Sequence, residues 1–115
     1  MKKISFEDAV AVTQKIITRF EKIEGKPWGA TGTMIEMQKQ VGELSKLIMV
    51  KEGFYFKERG KQDSQYLSTK EKIADELADI LYAVIRMAKH YNIDLLEAHL
   101  KEREKEDAFL KTKNV

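Results

Sequence analysis

The sequence predicts an all-α fold, a four-helix bundle completed by oligomerisation, and three observations predict it. Apolar residues recur at helical spacing in long runs, with no credible strand and no internal repeat. Proline occurs once, at Pro27, and the glycines gather in two places, so long helices are broken twice. Ser, Thr or Asp followed three residues later by an acid, the pattern that satisfies a helix's first free N–H groups, recurs where helices would start.

The elements follow in order. Ser5 with Asp8 opens a first helix, and Phe6, Val10, Thr13, Ile16, Ile17, Phe20 and Ile23 carry its apolar repeat, so it is expected from Ser5 to Glu24. Gly25-Lys26-Pro27-Trp28-Gly29 breaks the chain, and Thr33 with Glu36 forms a capping box that opens a second helix. Its expected seam is Met34, Met37, Val41, Leu44 and Ile48. Gly53-Phe54-Tyr55-Phe56 ends it, with the aromatic residues packing its end, and Lys57 to Gln65 is polar and reads as a mobile loop. Ser68 with Glu71 opens a third helix along Ile73, Leu77, Ile80, Leu81, Val84, Ile85 and Ala88, stopped by a left-handed Asn92. Asp94 with Glu97 opens a fourth, mostly charged helix that tapers into Lys111-Thr112-Lys113.

A chain of 115 residues reads as a single domain, 1–115, with a modest core that a partner subunit would enlarge. A net charge of +2, with basic and acidic residues interspersed, does not argue for nucleic acid. The absence of cysteine removes disulfides, thiol nucleophiles and thiolate metal sites. No apolar stretch reads as a signal peptide or a membrane span, which makes the cytoplasm the expected location and a membrane partner unexpected.

Two polar pairs carry the chemistry. Gln40 with Glu43, and Glu76 with Asp79, are each three residues apart, so each pair shares one helix face. Packed side by side, those faces would point three carboxylates and one amide at a common point, the outline of a divalent-cation site. Glu36, Gln40 and Glu43 adjoin Met37, Val41 and Leu44, while Asp75, Glu76 and Asp79 adjoin Leu77, Ile80 and Leu81. Carboxylates at a seam's edge repel one another unless a cation, a proton or a basic partner intervenes. Hard oxygen donors without His or Cys select magnesium or manganese over zinc. The same acids also fit two solvated helix faces with local ion pairs such as Lys72 to Glu76. His90 and His99 are isolated, and no glycine-rich phosphate loop, serine elbow or basic aromatic platform is present.

Met37-Gln38-Lys39-Gln40-Val41-Gly42-Glu43-Leu44, followed by Ala74-Asp75-Glu76-Leu77-Ala78-Asp79-Ile80-Leu81-Tyr82, resembles the MazG-like all-α nucleoside triphosphate pyrophosphohydrolases over roughly residues 5 to 106. Their signature is a Glu-x-x-Glu pair followed by a Glu-x-x-Asp pair on the next long helix. The resemblance implies a homodimer or homotetramer that binds magnesium, or manganese, and splits a nucleoside triphosphate into monophosphate and pyrophosphate. It maps Glu43, Glu76 and Asp79 onto metal ligands and puts Gln40 where the family carries an acid. It further implies that Glu36 acts with Glu43 in catalysis, as a base or as a substitute for the missing ligand. Lys39, Lys46, Lys57, Arg59 and Lys61 are then candidates to meet phosphates, Lys105 joins the substrate-binding set, and Trp28 is a candidate platform for a base or a plug of the bundle end. Lys39 stands at a position often acidic in the family, and the stretch from Glu43 to Glu76 is longer than usual. Two alternatives remain open: a catalytically silent oligomeric module that binds nucleotide or protein, and a pyrophosphohydrolase of sugar or other non-standard nucleotides.

Overall fold

The computed structural model describes residues 3–55, 58 and 67–115. The fold is all-α, with helices α1 (Phe6–Glu21), α2 (Gly29–Lys51), α3 (Lys70–His90) and α4 (Leu95–Lys111), and no strand among the described residues. The predicted loop from Lys57 to Gln65, with Lys57, Arg59, Lys61 and Phe56, lies outside the described residues except at Glu58. No helix among the described residues is long and apolar enough to cross a membrane.

The chain forms two compact units. One is built from Met1–Gly25 together with Ile85–Val115, the other from Lys26–Val84, and α3 supplies residues to both.

Local chemistry sets most of the boundaries. The Ser5 hydroxyl accepts from the Asp8 N–H at 3.0 Å, so α1 starts where its cap predicts. It ends at Glu21, three residues before the expected Glu24, because Lys22 and Ile23 donate back only three residues, to Arg19 and Phe20, and the turn tightens. The second helix departs further from expectation. It begins at Gly29, where φ is +56°, and Thr33 lies inside it, 1% exposed, with its hydroxyl donating to the Gly29 carbonyl at 2.7 Å. Thr33 and Glu36 therefore form no capping box. The third helix is capped by Thr69, whose hydroxyl accepts from the Lys72 N–H at 3.2 Å, one residue later than the predicted Ser68. Asp94 caps α4 as expected, accepting from the Glu97 N–H at 3.0 Å.

Three helices end in the same way. Beyond α2 the Phe54 N–H donates to Met49 and the Gly53 N–H to Val50, with Gly53 at φ +80°. Beyond α3 the Ile93 N–H donates to Ala88 and the Asn92 N–H to Lys89, with Asn92 at φ +53°. Beyond α4 the Val115 N–H donates to Leu110 and the Asn114 N–H to Lys111, with Asn114 at φ +60°. All are the paired-bond termination that needs a left-handed residue, and the predicted Asn92 stop is one of them. Phe54 does not pack the end of α2, being 74% exposed, whereas the Tyr55 hydroxyl reaches the Met49 sulfur at 3.9 Å.

In the unit of Met1–Gly25 and Ile85–Val115, the core gathers Ile17, Ile85 and Ala88. Arg86, buried with them, forms an ion pair with Glu24, and Lys89 pairs with Glu21 at 3.2 Å. In the Lys26–Val84 unit, Thr33, Leu47 and Ala83 are buried. The sheltered stripe of α2 is Thr33, Glu36, Met37, Gln40, Leu44 and Leu47, while Met34, Val41 and Ile48 of the predicted seam are exposed. The helix is thus rotated so that its polar residues Glu36 and Gln40 share the inner face. On α3 the sheltered stripe of the same unit is Ile73, Glu76, Ile80 and Ala83, with Glu76 its one polar member.

Candidate functional site

Gln40, beside Glu36 on α2, and Glu76, among apolar residues on α3, are polar residues on sheltered helix faces of the Lys26–Val84 unit. The neighbours of each define the site. The Gln40 amide donates through Nε2 to Glu36 Oε1 at 2.9 Å, a bond between residues one helical turn apart. It uses the amino end of the amide rather than the carbonyl oxygen, the atom able to ligate a cation. Lys39 Nζ stands 3.9 Å from the same Glu36 oxygen, and Lys46 Nζ lies 3.1 Å from Glu43 Oε2.

Across from this stripe, Glu76 Oε2 is sealed from solvent and has no hydrogen-bond partner among the described residues. A carboxylate oxygen left in that state is costly unless a cation or a proton meets it. Accordingly the Glu76 carboxyl titrates above its ordinary value, first because burial disfavours its charge and then because Asp79, Glu43 and Asp75 repel it; Lys39 partly offsets them. Two of those charges, Glu43 and Lys39, stand on α2, so the fields of the two predicted acidic pairs overlap. Asp79 itself is exposed and carries no ion pair among the described residues.

The acids are neighbours in the electrostatic sense rather than a closed shell: no group of three or more His, Cys, Asp and Glu is drawn together tightly enough to hold a metal among the described residues. The donors are of the kind a hard cation takes, but they do not converge, and the need of Glu76 Oε2 is one that either a proton or a cation could meet.

Trp28 lies just before α2 and is 38% exposed. With Lys26, Thr31, Ile35 and Glu36 it lines an open groove of about 430 Å3. Glu36 therefore belongs to both the groove and the acidic stripe. A Cβ on Gly32 would come within 2.8 Å of the Trp28 Cβ, so glycine there lets the indole lie against the first turn of α2. Lys105 stands on α4, in the other unit, and pairs with Glu102 at 2.9 Å. Lys57 and Arg59 lie outside the described residues.

The buried Arg86–Glu24 pair was not foreseen, although a charged residue embedded in Ala83–Ala88 signals that some counter-charge must follow it inside. A second groove, of about 840 Å3, runs between α1 and α4 past Glu7, Val10, Gln14, Leu96, Leu100 and Glu104, and it contains none of the residues predicted to be functional. Comparison with known proteins finds no matching family model, no matching curated protein and no matching solved structure.

Proposed function

We propose that this chain is a magnesium-dependent nucleoside triphosphate pyrophosphohydrolase of the MazG-like kind, releasing nucleoside monophosphate and pyrophosphate and working as a homodimer or homotetramer. The observation that carries the reading is Glu76 Oε2, a buried carboxylate oxygen with no hydrogen-bond partner among the described residues, in the field of Asp79, Glu43 and Asp75. Lys39 and Lys46 offset part of the like charge on these acids, and a divalent cation would offset the rest.

Magnesium bound there would neutralise charge developing on the phosphates and acidify a bound water. The chain's own residues divide the remaining work. Glu43, Glu76 and Asp79 would hold the cation. Glu36, fixed by the Gln40 amino group, accepts the proton of the attacking water. The water oxygen bonds to phosphorus, the α–β anhydride bond breaks, and its electron pair leaves with pyrophosphate. Lys39 and Lys46 meet the phosphate oxygens, with manganese as an alternative ion, and the groove at Trp28 receives the base against the indole face.

The test is pyrophosphate release from a panel of nucleoside triphosphates in magnesium, with Glu76→Ala beside the wild-type chain. Release by the wild type and a loss of at least about a hundredfold in the variant are expected, because one charged ligand of the reacting centre is gone. Magnesium should also raise the melting temperature of the wild type with nucleotide present, and Glu76→Ala should lose that increment. A second reading draws on Gln40: its amide is engaged with Glu36 and supplies no charge, which favours an oligomeric module that binds nucleotide without cleaving it. Nucleotide-dependent stabilisation with no turnover of any triphosphate, sugar nucleotides included, would select that module.

A further inference from the structure

The outer face of α2 has a symmetry of its own. Its exposed stripe from Met34 to Met49 carries no charge, and every charged side chain in that span, Glu36, Lys39, Glu43 and Lys46, falls off it. Reflecting the stripe about the midpoint between Val41 and Gly42 sends Met34 onto Met49, Ile35 onto Ile48 and Gln38 onto Ser45, apolar onto apolar and polar onto polar. Its five large apolar members, Met34, Ile35, Val41, Ile48 and Met49, are between 39% and 63% exposed. A face turned to water, or to an unrelated partner, has no need of such a mirror. Two copies of one helix laid antiparallel across a two-fold axis do, because each residue then meets its reflection on the other copy.

Gly42, at the centre of the stripe, is an independent observation. It lies in the middle of α2 without a positive φ, and a Cβ built on it meets nothing within 4 Å. Neither the backbone nor the packing within the chain therefore calls for glycine, the poorest helix former after proline. A second helix does, since two helix axes approach closest where the side chains between them are smallest. Set opposite the partner's Val41, Gly42 leaves the space that the valine fills.

We propose that α2 pairs antiparallel with α2 of a second copy, about a two-fold axis passing between Val41 and Gly42, so that Met34 and Ile35 of each copy lie against Met49 and Ile48 of the other. Leu77 and Leu81 of α3, in the same unit, are exposed as well and add to the apolar surface that the second copy covers. The inference rests on the homodimer of the reading above and names its interface; it needs neither a bound cation nor catalysis.

The experiment uses the absence of cysteine, which makes an introduced thiol the only one in the chain. The single variants Met34→Cys, Val41→Cys and Met49→Cys of the full chain are refolded from urea, alone and in equal mixtures, oxidised at low concentration and read as disulfide-linked dimer on a non-reducing gel. Val41→Cys should link to itself, because the axis passes beside it and a disulfide needs Cα atoms within about 7 Å. Met34→Cys alone and Met49→Cys alone should not link, since the two copies of either residue lie about 22 Å apart along the paired helices. Their mixture should link. In light scattering the wild type should return at least twice the 13.3 kDa of one chain. Gly42→Leu should weaken the dimer about tenfold or more, as overpacking of a close contact does, with undiminished helix content by circular dichroism. If Val41→Cys proves poorly folded, the mixture and Gly42→Leu decide the matter. Self-linking of Met34→Cys, which a parallel pair would give, overturns the proposal. So does a Gly42→Leu chain that dimerises as tightly as the wild type, or a wild type that stays at 13.3 kDa. Pyrophosphate release by the wild type is scored separately: activity with the wrong links sinks the interface alone, and the expected links without activity uphold the interface and sink only the hydrolase.

Discussion

Gln40 is half-buried, and its amino group sits 2.9 Å from Glu36. A carboxylate in its place would trade that hydrogen bond for repulsion between two acids one turn apart, on a face where solvent screens poorly. Gln40→Glu should therefore destabilise the fold in EDTA by about 1–3 kcal/mol. In magnesium with nucleotide the sign should change, because the added charge then faces the cation, and the variant should be neutral or more stable with pyrophosphate release at least retained. Urea unfolding in the two buffers checks it; equal losses in both would favour the silent module.

Glu76 gives a second residue-scale prediction, and its direction follows from its raised pKa. A carboxyl whose pKa is higher in the folded chain than in the unfolded one is favoured by folding in its protonated form, so its cost is absent below the ordinary value of 4.5 and grows as pH rises through the raised one. In EDTA, Glu76→Gln should melt above the wild type at pH 7, and the gap should close as pH falls towards 4. A wild type that melts higher than Glu76→Gln at pH 7 in chelator would mean that the carboxylate has a cationic partner within the chain. The spacing of the two acid pairs was legible in the sequence, since i and i+3 share a face whatever the tertiary structure. Their lysine and glutamine neighbours were not, because which of several reachable partners a side chain takes depends on how far each helix is rotated.

At the scale of the element, legibility followed the range of the interaction. The starts of α1 and α4 and the Asn92 stop were predicted correctly, each being settled by bonds spanning three to five residues. Asp94→Ala should cost about 1 kcal/mol, the usual worth of such a cap. Gly53→Ala should cost a similar amount, about 1 kcal/mol, since the space around Gly53 is open and only its φ of +80° resists a side chain. Thermal melts of both variants measure these losses. The second helix was misjudged in start because Thr33 resembles a cap, and in part of its seam because it bears two apolar stripes. Met34, Val41 and Ile48 recur at intervals of seven and attract the eye, yet the face that tertiary packing chose runs through Thr33, Met37, Leu44 and Leu47. A lone threonine bonded to the carbonyl four residues back is indistinguishable in sequence from a cap.

For the molecule as a whole, the balance of apolar surface is the telling quantity. The fully buried hydrophobic residues among those described are Ile17, Leu47, Ala83, Ile85 and Ala88, while Leu77 and Leu81 on α3 stay 54% and 45% exposed. Contiguous apolar side chains of that size on one helix are expected to be covered by another copy of the chain. Light scattering should return at least twice the 13.3 kDa of one chain, and Leu77→Glu with Leu81→Glu should return the single-chain mass. A wild type that remains at 13.3 kDa at working concentrations sinks the expectation.

The two units also differ in how their sequence is assembled. Lys26–Val84 is one uninterrupted stretch, whereas the other unit joins Met1–Gly25 to Ile85–Val115, and its Glu24–Arg86 pair spans 62 residues. Closing a loop of that length costs about 4 kcal/mol of chain entropy before any contact within the unit is made. Time therefore enters the architecture: the continuous unit, able to gain contacts at short separation, should organise first and hold α3 ready as a template for the other. Leu47→Ala and Ile17→Ala should each cost about 2–4 kcal/mol at equilibrium. In stopped-flow chevrons the former should mainly slow folding and the latter mainly speed unfolding. The reverse assignment would mean that the long loop closes first, and that the ion pair between Glu24 and Arg86 is formed at the start of folding rather than at its end.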